Sequence, residues 1–392
     1  MKVAGFRAAA LAAGLRYKDR LDLGLIVSDG PAAAAGVFTQ NRVQAAPVLW
    51  SKEKPTKGPV RAILVNSGQA NACTGPDGLD AARRSALSAS QALGCGPDEI
   101  LLASTGVIGQ ALNVSGIEKA MPELASGLDE KNLPLVAQAM MTTDTKPKIV
   151  KAQGEIQGRC FTVVGLAKGS GMICPNMATM LSFILTDAVV TAGLLQDILG
   201  RAVAKTFNRV TVDGDTSTND CVLALAGGRA GNPALTDRGS LGRAGFEDVM
   251  TTVMAELARM IAADGEGATK LVRLAVTGAA DDSQAEAAAK TVANSPLVKT
   301  AWFGQDPNWG RIMGALGRSG AEFDPEGVNI LVDNAPLVKD GQDADHEAEA
   351  ASVMRQAEFS LSIDLGAGLG RAEVLTCDLS LDYVRINADY RS

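Results

Sequence analysis

The chain has 392 residues, 46% of them apolar, which is enough for one large layered unit or two domains with full cores. A net charge of −7, a pI near 5.0 and only 4% aromatics exclude a nucleic-acid partner and an anionic membrane surface. Six scattered cysteines without a Cys-x-x-Cys pair, beside a single histidine, exclude a zinc centre. They read instead as reduced, mostly buried thiols. No signal-peptide layout and no apolar run of membrane-spanning length occurs, so the expectation is a cytoplasmic protein.

In chain order, residues 23–27, 34–39, 59–66 and 100–104 read as strands, rich in Val, Ile and Leu and ended by turn residues. Residues 79–93 have helical spacing, with Ala82, Ala86, Ala89 and Leu93 on one side. A helix is expected over 133–141 and a strand over 155–166. After Thr179 come a strand (180–186), a helix (192–207), a polar turn (212–220) and a segment of undecided type. Residues 227–243, rich in Gly, Asn, Pro and Asp, read as an insertion loop. Residues 246–262 form an amphipathic helix, with Val249, Val253, Met254, Leu257 and Ile261 on its apolar face. A strand over 270–277 and a helix over 284–293 follow. From Val328 the chain reads as paired strands, with turns at 334–336 and 366–370. Strands and helices mixed without strict alternation favour α+β layers over a doubly wound parallel sheet.

Several motifs have a bland explanation. Gly366-Ala-Gly-Leu-Gly370 is followed by a strand and not a helix, so it reads as a hairpin turn, not a dinucleotide fingerprint. Gly265-Glu-Gly-Ala-Thr-Lys270 lacks the spacing of a phosphate loop. The oxygen-rich run from Asp213 to Asp220 lacks the central glycine and closing glutamate of a calcium loop. Glu266, between two glycines, sits where backbone comes close to a ligand and is suited to an amine, although a solvated turn acid has the same composition. Ser104-Thr105-Gly106 ends a strand and offers a hydroxyl and a backbone N–H, the parts of an oxyanion hole and equally of an ordinary turn.

The segment Lys168-Gly-Ser-Gly-Met-Ile-Cys-Pro-Asn-Met-Ala-Thr179 carries the chemistry. The only histidine, His346, lies in a charged stretch that reads as solvated helix, so a His-activated serine or cysteine has no base. A glycine-rich loop leading into a buried strand is one reading of the segment. The other is self-cleavage: the Thr179 hydroxyl attacks the Ala178 carbonyl, and an N→O acyl shift and hydrolysis follow. Thr179 is then left with an α-amine of pKa about 8, a usable base at neutral pH.

These residues closely resemble the ornithine acetyltransferase (glutamate N-acetyltransferase) family of arginine biosynthesis. The resemblance extends along nearly the whole chain. It includes Gly5-Phe-Arg-Ala-Ala, Ala35-Gly-Val-Phe-Thr-Gln-Asn-Arg-Val-Gln-Ala-Ala-Pro47 and Asn66-Ser-Gly-Gln-Ala-Asn-Ala-Cys-Thr-Gly75. Ser104-Thr-Gly-Val-Ile-Gly109, Met141-Thr-Thr-Asp-Thr145, the run Val212 to Asp220 and Asp264-Gly-Glu-Gly-Ala-Thr-Lys270 follow. Asp306-Pro-Asn-Trp-Gly-Arg311 and Asp382-Tyr-Val-Arg-Ile-Asn-Ala-Asp-Tyr390 complete it.

The resemblance implies a layered α-β-β-α sandwich of the N-terminal-nucleophile type, cleaved between Ala178 and Thr179 into an α chain (1–178) and a β chain (179–392). These chains assemble as an α2β2 heterotetramer. It implies Thr179 as nucleophile and Thr105 and Gly106 as oxyanion hole. Thr143, Lys168, Thr179, Glu266, Asn387 and Ser392 become substrate contacts, with Thr142 an alternative to Thr143. The reaction moves acetyl from N-acetylornithine to glutamate by a ping-pong route. No cofactor or metal is implied, and acetyl-CoA as co-substrate would make the enzyme bifunctional. Lys168 suits a substrate α-carboxylate and Glu266 the ornithine ammonium. The sequence departs from the family in beginning very close to Gly5-Phe-Arg and ending in Ser392 rather than Thr, with Ser170 and Cys174 at usually apolar positions. An amidase or aminopeptidase with the same nucleophile, and a non-catalytic binding protein left uncut, are the alternatives.

Overall fold

A computed structural model describes residues 1–174 and 180–389. The chain forms two compact units. The first comprises Met1–Gly169, Asn176–Asn208 and Asp215–Leu257, and the second Ser170–Pro175, Arg209–Gly214 and Ala258–Ser392. The border expected between 178 and 179 is a covalent one and lies outside the described residues.

In the first unit one long strand, Leu23–Phe38, belongs to two half-sheets. Its first part pairs with Phe6–Leu11 and Val60–Asn66, and Ile100–Ser104 lies beyond. After an irregularity between Val27 and Ala32, its second part pairs with Cys221–Ala226, followed by Leu181–Thr186, Arg159–Lys168 and Lys148–Ile156. The Asp-Gly-Pro run at 29–31 reads as a break in the sequence, yet the sheet carries on through it, so the strands expected at 23–27 and 34–39 are one.

Side-chain alternation builds the layers, because successive residues of a strand point to opposite faces. Ile26, Ile63, Val65 and Leu101 of the first half share a core with Leu166, Phe183, Leu185 and Leu223 of the second. Their neighbours Leu25, Leu64, Ile100 and Leu102 turn the other way, onto Ala82, Ala86 and Ala89 of helix Gly75–Leu93 and Ile117 and Met121 of helix Val114–Ser126. On the outer face of the second half Gly165 lies against Val253 and Leu257 of helix Arg243–Ala263. Helix, sheet, sheet, helix is the expected sandwich, and it is contained in this unit.

The strand expected over 155–166 is instead a hairpin. Lys148–Ile156 and Arg159–Lys168 pair antiparallel about Gln157 and Gly158, both with positive φ. That fits a two-residue hairpin turn. The first arm exposes alternate residues, as an edge strand does, which hid it from an apolar-run reading. The undecided segment after Asp220 is the buried strand Cys221–Ala226.

The second unit is a seven-stranded sheet ordered Gln342–Asp343, Ala335–Lys339, Asn329–Val332, Glu358–Asp364, Leu271–Ala279, Gly370–Cys377, Val210–Thr211. Its core joins Val272, Leu274, Leu361 and Val374 to the alanine face of helix Asp282–Ala293 and to Trp302 of helix Pro296–Phe303. Residues 366–370 are not a hairpin turn: the strands on either side are separated by Leu271–Ala279, which pairs parallel with one and antiparallel with the other. The C-terminal part also contains helices Glu347–Met354, which His346 precedes, and Leu381–Ala388. No cysteine is in a disulfide, but only Cys221 and Cys377 are buried, and Cys73 and Cys160 are exposed. The thiols are therefore not mostly buried.

Candidate active site

Strand Ile100–Ser104 is buried at every position and delivers Thr105 and Gly106 at its end. The Thr105 N–H donates to the Asn66 carbonyl (3.0 Å), continuing the parallel ladder one step. Gly106 then adopts a φ of +127°, and a Cβ there would overlap the Gly68 carbonyl and the Gln69 nitrogen. Only glycine fits that close approach. The turn is held from two sides. Ser104 donates its hydroxyl to Asn66 Oδ1 (2.5 Å), and Asn219 Nδ2 donates to the carbonyls of Ala70 (2.7 Å) and Ser104 (2.8 Å). The Gly106 N–H donates to no acceptor among the described residues, and the Thr105 hydroxyl hydrogen likewise has none. Two donors at a rigid strand end, both unspent, are what an oxyanion hole requires.

Lys168 ends strand Arg159–Lys168 and is 3% exposed. Its Nζ donates to the hydroxyls of Thr105 (3.2 Å) and Thr142 (3.0 Å). A buried ammonium needs a counter-charge, and Asp144 provides it. Asp144 Oδ1 accepts from Lys148 Nζ (2.7 Å) and the Gly169 N–H (2.7 Å), and its Oδ2 accepts from the Thr142 N–H (3.1 Å). Burial pushes the Asp144 carboxyl up. The charges of Lys168 and Lys148 and the Lys148 and Gly169 hydrogen bonds outweigh it and hold it at about 2. Of the two adjacent threonines, Thr142 accepts from Lys168 through its hydroxyl.

In the second unit Glu266 lies in the turn after helix Arg243–Ala263 and is 7% exposed. Its N–H donates to the Ser170 carbonyl (2.8 Å). Its carboxylate packs on the bare Cα of Gly171, where any side chain would collide with it. Asn387, on helix Leu381–Ala388, donates Nδ2 to Glu266 Oε2 (2.8 Å) and to its own helix at the Tyr383 carbonyl (3.0 Å). Asp213 accepts the N–H groups of Met172 (2.5 Å) and Ile173 (2.8 Å). The predicted residues thus meet in two groups, Thr105–Gly106–Lys168 and Glu266–Asn387. Ala178, Thr179 and Ser392 lie outside the described residues.

The sequence reading missed the supports. Asp144 and Lys148 stand four apart in the run Asp-Thr-Lys-Pro-Lys, a spacing that signals a pair only when both are known to be buried. Asn66 and Asn219 read as turn residues. Asp220, 1% exposed, closes the polar turn just before an apolar strand, which was the one visible hint that it is interior.

A helix-flanked double sheet that presents, among the described residues, two unspent donors at a strand end suits an acyl-transferring enzyme. The ArgJ family profile matches residues 7–392. An arginine biosynthesis bifunctional protein of Geobacter sulfurreducens is 49% identical over 394 residues, covering 100% of each chain. The protein of that description from Desulfotalea psychrophila is 50% identical with the same coverage. The crystal structure of the Bacillus halodurans arginine biosynthesis bifunctional protein matches with a TM-score of 0.52 and 45% identity, covering 54% of this chain and 99% of that one. The chain belongs to the ArgJ family, bifunctional acetyltransferases of arginine biosynthesis that act on small molecules. Among the described residues no helix is long and apolar enough to cross a membrane.

Proposed function

We propose that this chain cleaves itself between Ala178 and Thr179 and that the new N-terminal Thr179 carries acetyl from N-acetylornithine to glutamate. The observation that supports this most is the pair of donors unspent among the described residues, the Gly106 N–H and Thr105 hydroxyl, in a chain whose one histidine lies in a charged stretch.

In the first half-reaction the Thr179 hydroxyl adds to the acetyl carbon of acetylornithine, with the α-amine of Thr179 taking the hydroxyl proton. Negative charge gathers on the carbonyl oxygen, where Gly106 and Thr105 stabilise it. Mutation of one such donor elsewhere costs about 10² to 10³ in rate. The C–N bond breaks, the proton passes to the leaving amine, and ornithine departs. Glutamate's amine then attacks the acetyl-threonine ester, and the same steps run in reverse. Two amines exchange one acyl group, so a covalent intermediate divides one difficult amide exchange into two easier steps.

Lys168, held by Thr105 and Thr142, is the cation for the substrate α-carboxylate. Glu266, steadied by Asn387, receives the ornithine side-chain ammonium. Thr143 and Ser392 complete the substrate contacts. Acetyl-CoA serves as a second acetyl donor for glutamate. The severed chains stay together as α2β2 in the cytoplasm. Support for the cut comes from the Bacillus halodurans chain: it is matched almost entirely yet spans 54% of this one, close to the share that residues 179–392 make up.

A denaturing gel with mass spectrometry tests the cut, and one intact 40.4 kDa chain after maturation overturns it. Incubation with acetylornithine, with and without glutamate, tests the transfer. Acetate release indifferent to glutamate would make the enzyme an amidase. An assay with acetyl-CoA and glutamate decides the second activity.

A further inference from the structure

Asp220 precedes strand Cys221–Ala226, and its main chain is committed to the sheet: its carbonyl accepts from the Thr39 N–H (2.9 Å). The Cys221 N–H donates to the Met180 carbonyl (3.2 Å), and from Leu181–Cys221 onward the parallel ladder runs regularly. The Met180 N–H is not part of that ladder. It donates instead to Asp220 Oδ1 (2.9 Å). The other oxygen, Oδ2, is buried and makes no hydrogen bond among the described residues.

An ionised carboxylate in this position would give up its hydration for very little in return. Burial pushes the Asp220 carboxyl well above the usual carboxylate range, against the Met180 N–H, the Lys168 charge and the nearby Ser217 N–H. In the neutral form it offers what a side-chain amide offers: an acceptor toward Met180 and a donor on the other atom. The strand itself does not need this bond. Leu181–Thr186 is paired along its full length with Arg159–Lys168 on one side and Cys221–Ala226 on the other.

We propose that Asp220 is a positioning residue for the nucleophile: by accepting the Met180 N–H it fixes the peptide joining residues 179 and 180, and so aims the Thr179 hydroxyl. The peptide is planar, so holding its N–H sets the rotation of the whole unit and limits where the preceding side chain can point. A misplacement of about 1 Å in such a group costs about 10² in rate. The inference rests on Thr179 being the nucleophile.

The test uses the full chain as wild type, Asp220→Leu, Asp220→Ala, Asp220→Asn and Thr179→Ala. Self-cleavage is followed on denaturing gels, folding by thermal melting, and kcat and KM for acetylornithine on the matured fraction. Leucine keeps the branched shape without either oxygen, at a larger volume, and where it folds cleavage and kcat are expected each to fall about 10²-fold while KM changes little. Asparagine restores most of both rates, since its amide oxygen accepts the same N–H. Alanine repeats the leucine result if the larger side chain disturbs packing. A folded leucine or alanine chain that matures and turns over like wild type overturns the proposal, as does an asparagine chain as slow as leucine. Maturation of Thr179→Ala would instead overturn the nucleophile reading.

Discussion

The two groups of predicted site residues are built differently. Thr105 and Gly106 follow a strand buried at every position and Lys168 ends a strand paired on both sides, and the three are braced by Asn66, Asn219 and the buried Asp144–Lys148 pair. Glu266 and Asn387 sit on a turn and on a terminal helix that has no buried residue. The first group suits chemistry that tolerates no misplacement, because donors for a developing oxyanion must be in place before the charge appears. The second suits recognition of a flexible ammonium, where a degree of adjustment costs little.

The sharpest way to break this comparison is to remove the nucleophile. Thr179→Ala should leave one 40.4 kDa band and lower acetyl transfer about 10⁴-fold or more, read by gel and by ornithine release. If transfer survives, the rigid group is not the chemical one. Gly106→Ala comes next: its Cβ must displace the Gly68–Gln69 backbone, so kcat should fall about 10² to 10³-fold in steady-state assays. A variant with normal kcat would mean that the Gly106 N–H plays no part in the transition state.

Asp144→Asn tests the brace. It removes the carboxylate charge that faces the buried Lys148 ammonium and should cost about 3 to 5 kcal/mol in urea unfolding. Asp144's carboxyl is held at about 2, below its ordinary 3.8, so its contribution is complete above pH 4 and lost as pH falls toward 2. Wild type should show that acid-side loss and the asparagine variant should not, which acid titrations of stability can compare.

The smallest effect is expected at the adjustable group. Glu266→Gln should raise KM for acetylornithine about 10- to 100-fold with kcat changed less, as for loss of one charged hydrogen bond. An unchanged KM would remove its role as ammonium site.

Much of the frame was legible locally. Strand Ile100–Ser104 and helix Asp282–Ala293 declared themselves by composition and period, and the sandwich followed from the resemblance. The hairpin Lys148–Ile156 with Arg159–Lys168 did not, because an edge strand with exposed charges has no apolar signature. Nor did the place of 366–370: a glycine turn looks alike whether it joins neighbouring strands or strands with a third between them.

By itself the sequence determined which chemistry to expect: one histidine in a charged stretch, a hydroxyl after a small residue, and a hydroxyl and glycine ending a strand. These are properties of residue types and neighbours, which chain order preserves. Only the tertiary structure decided which groups are braced. That Thr142 meets Lys168, that Asp144 keeps its charge while burial raises Asp220, and that the Gly106 N–H stays unspent among the described residues all depend on burial and distance. A carboxylate's charge, or a donor's freedom, is set by what folding brings beside it, and residues far apart in the chain supply that.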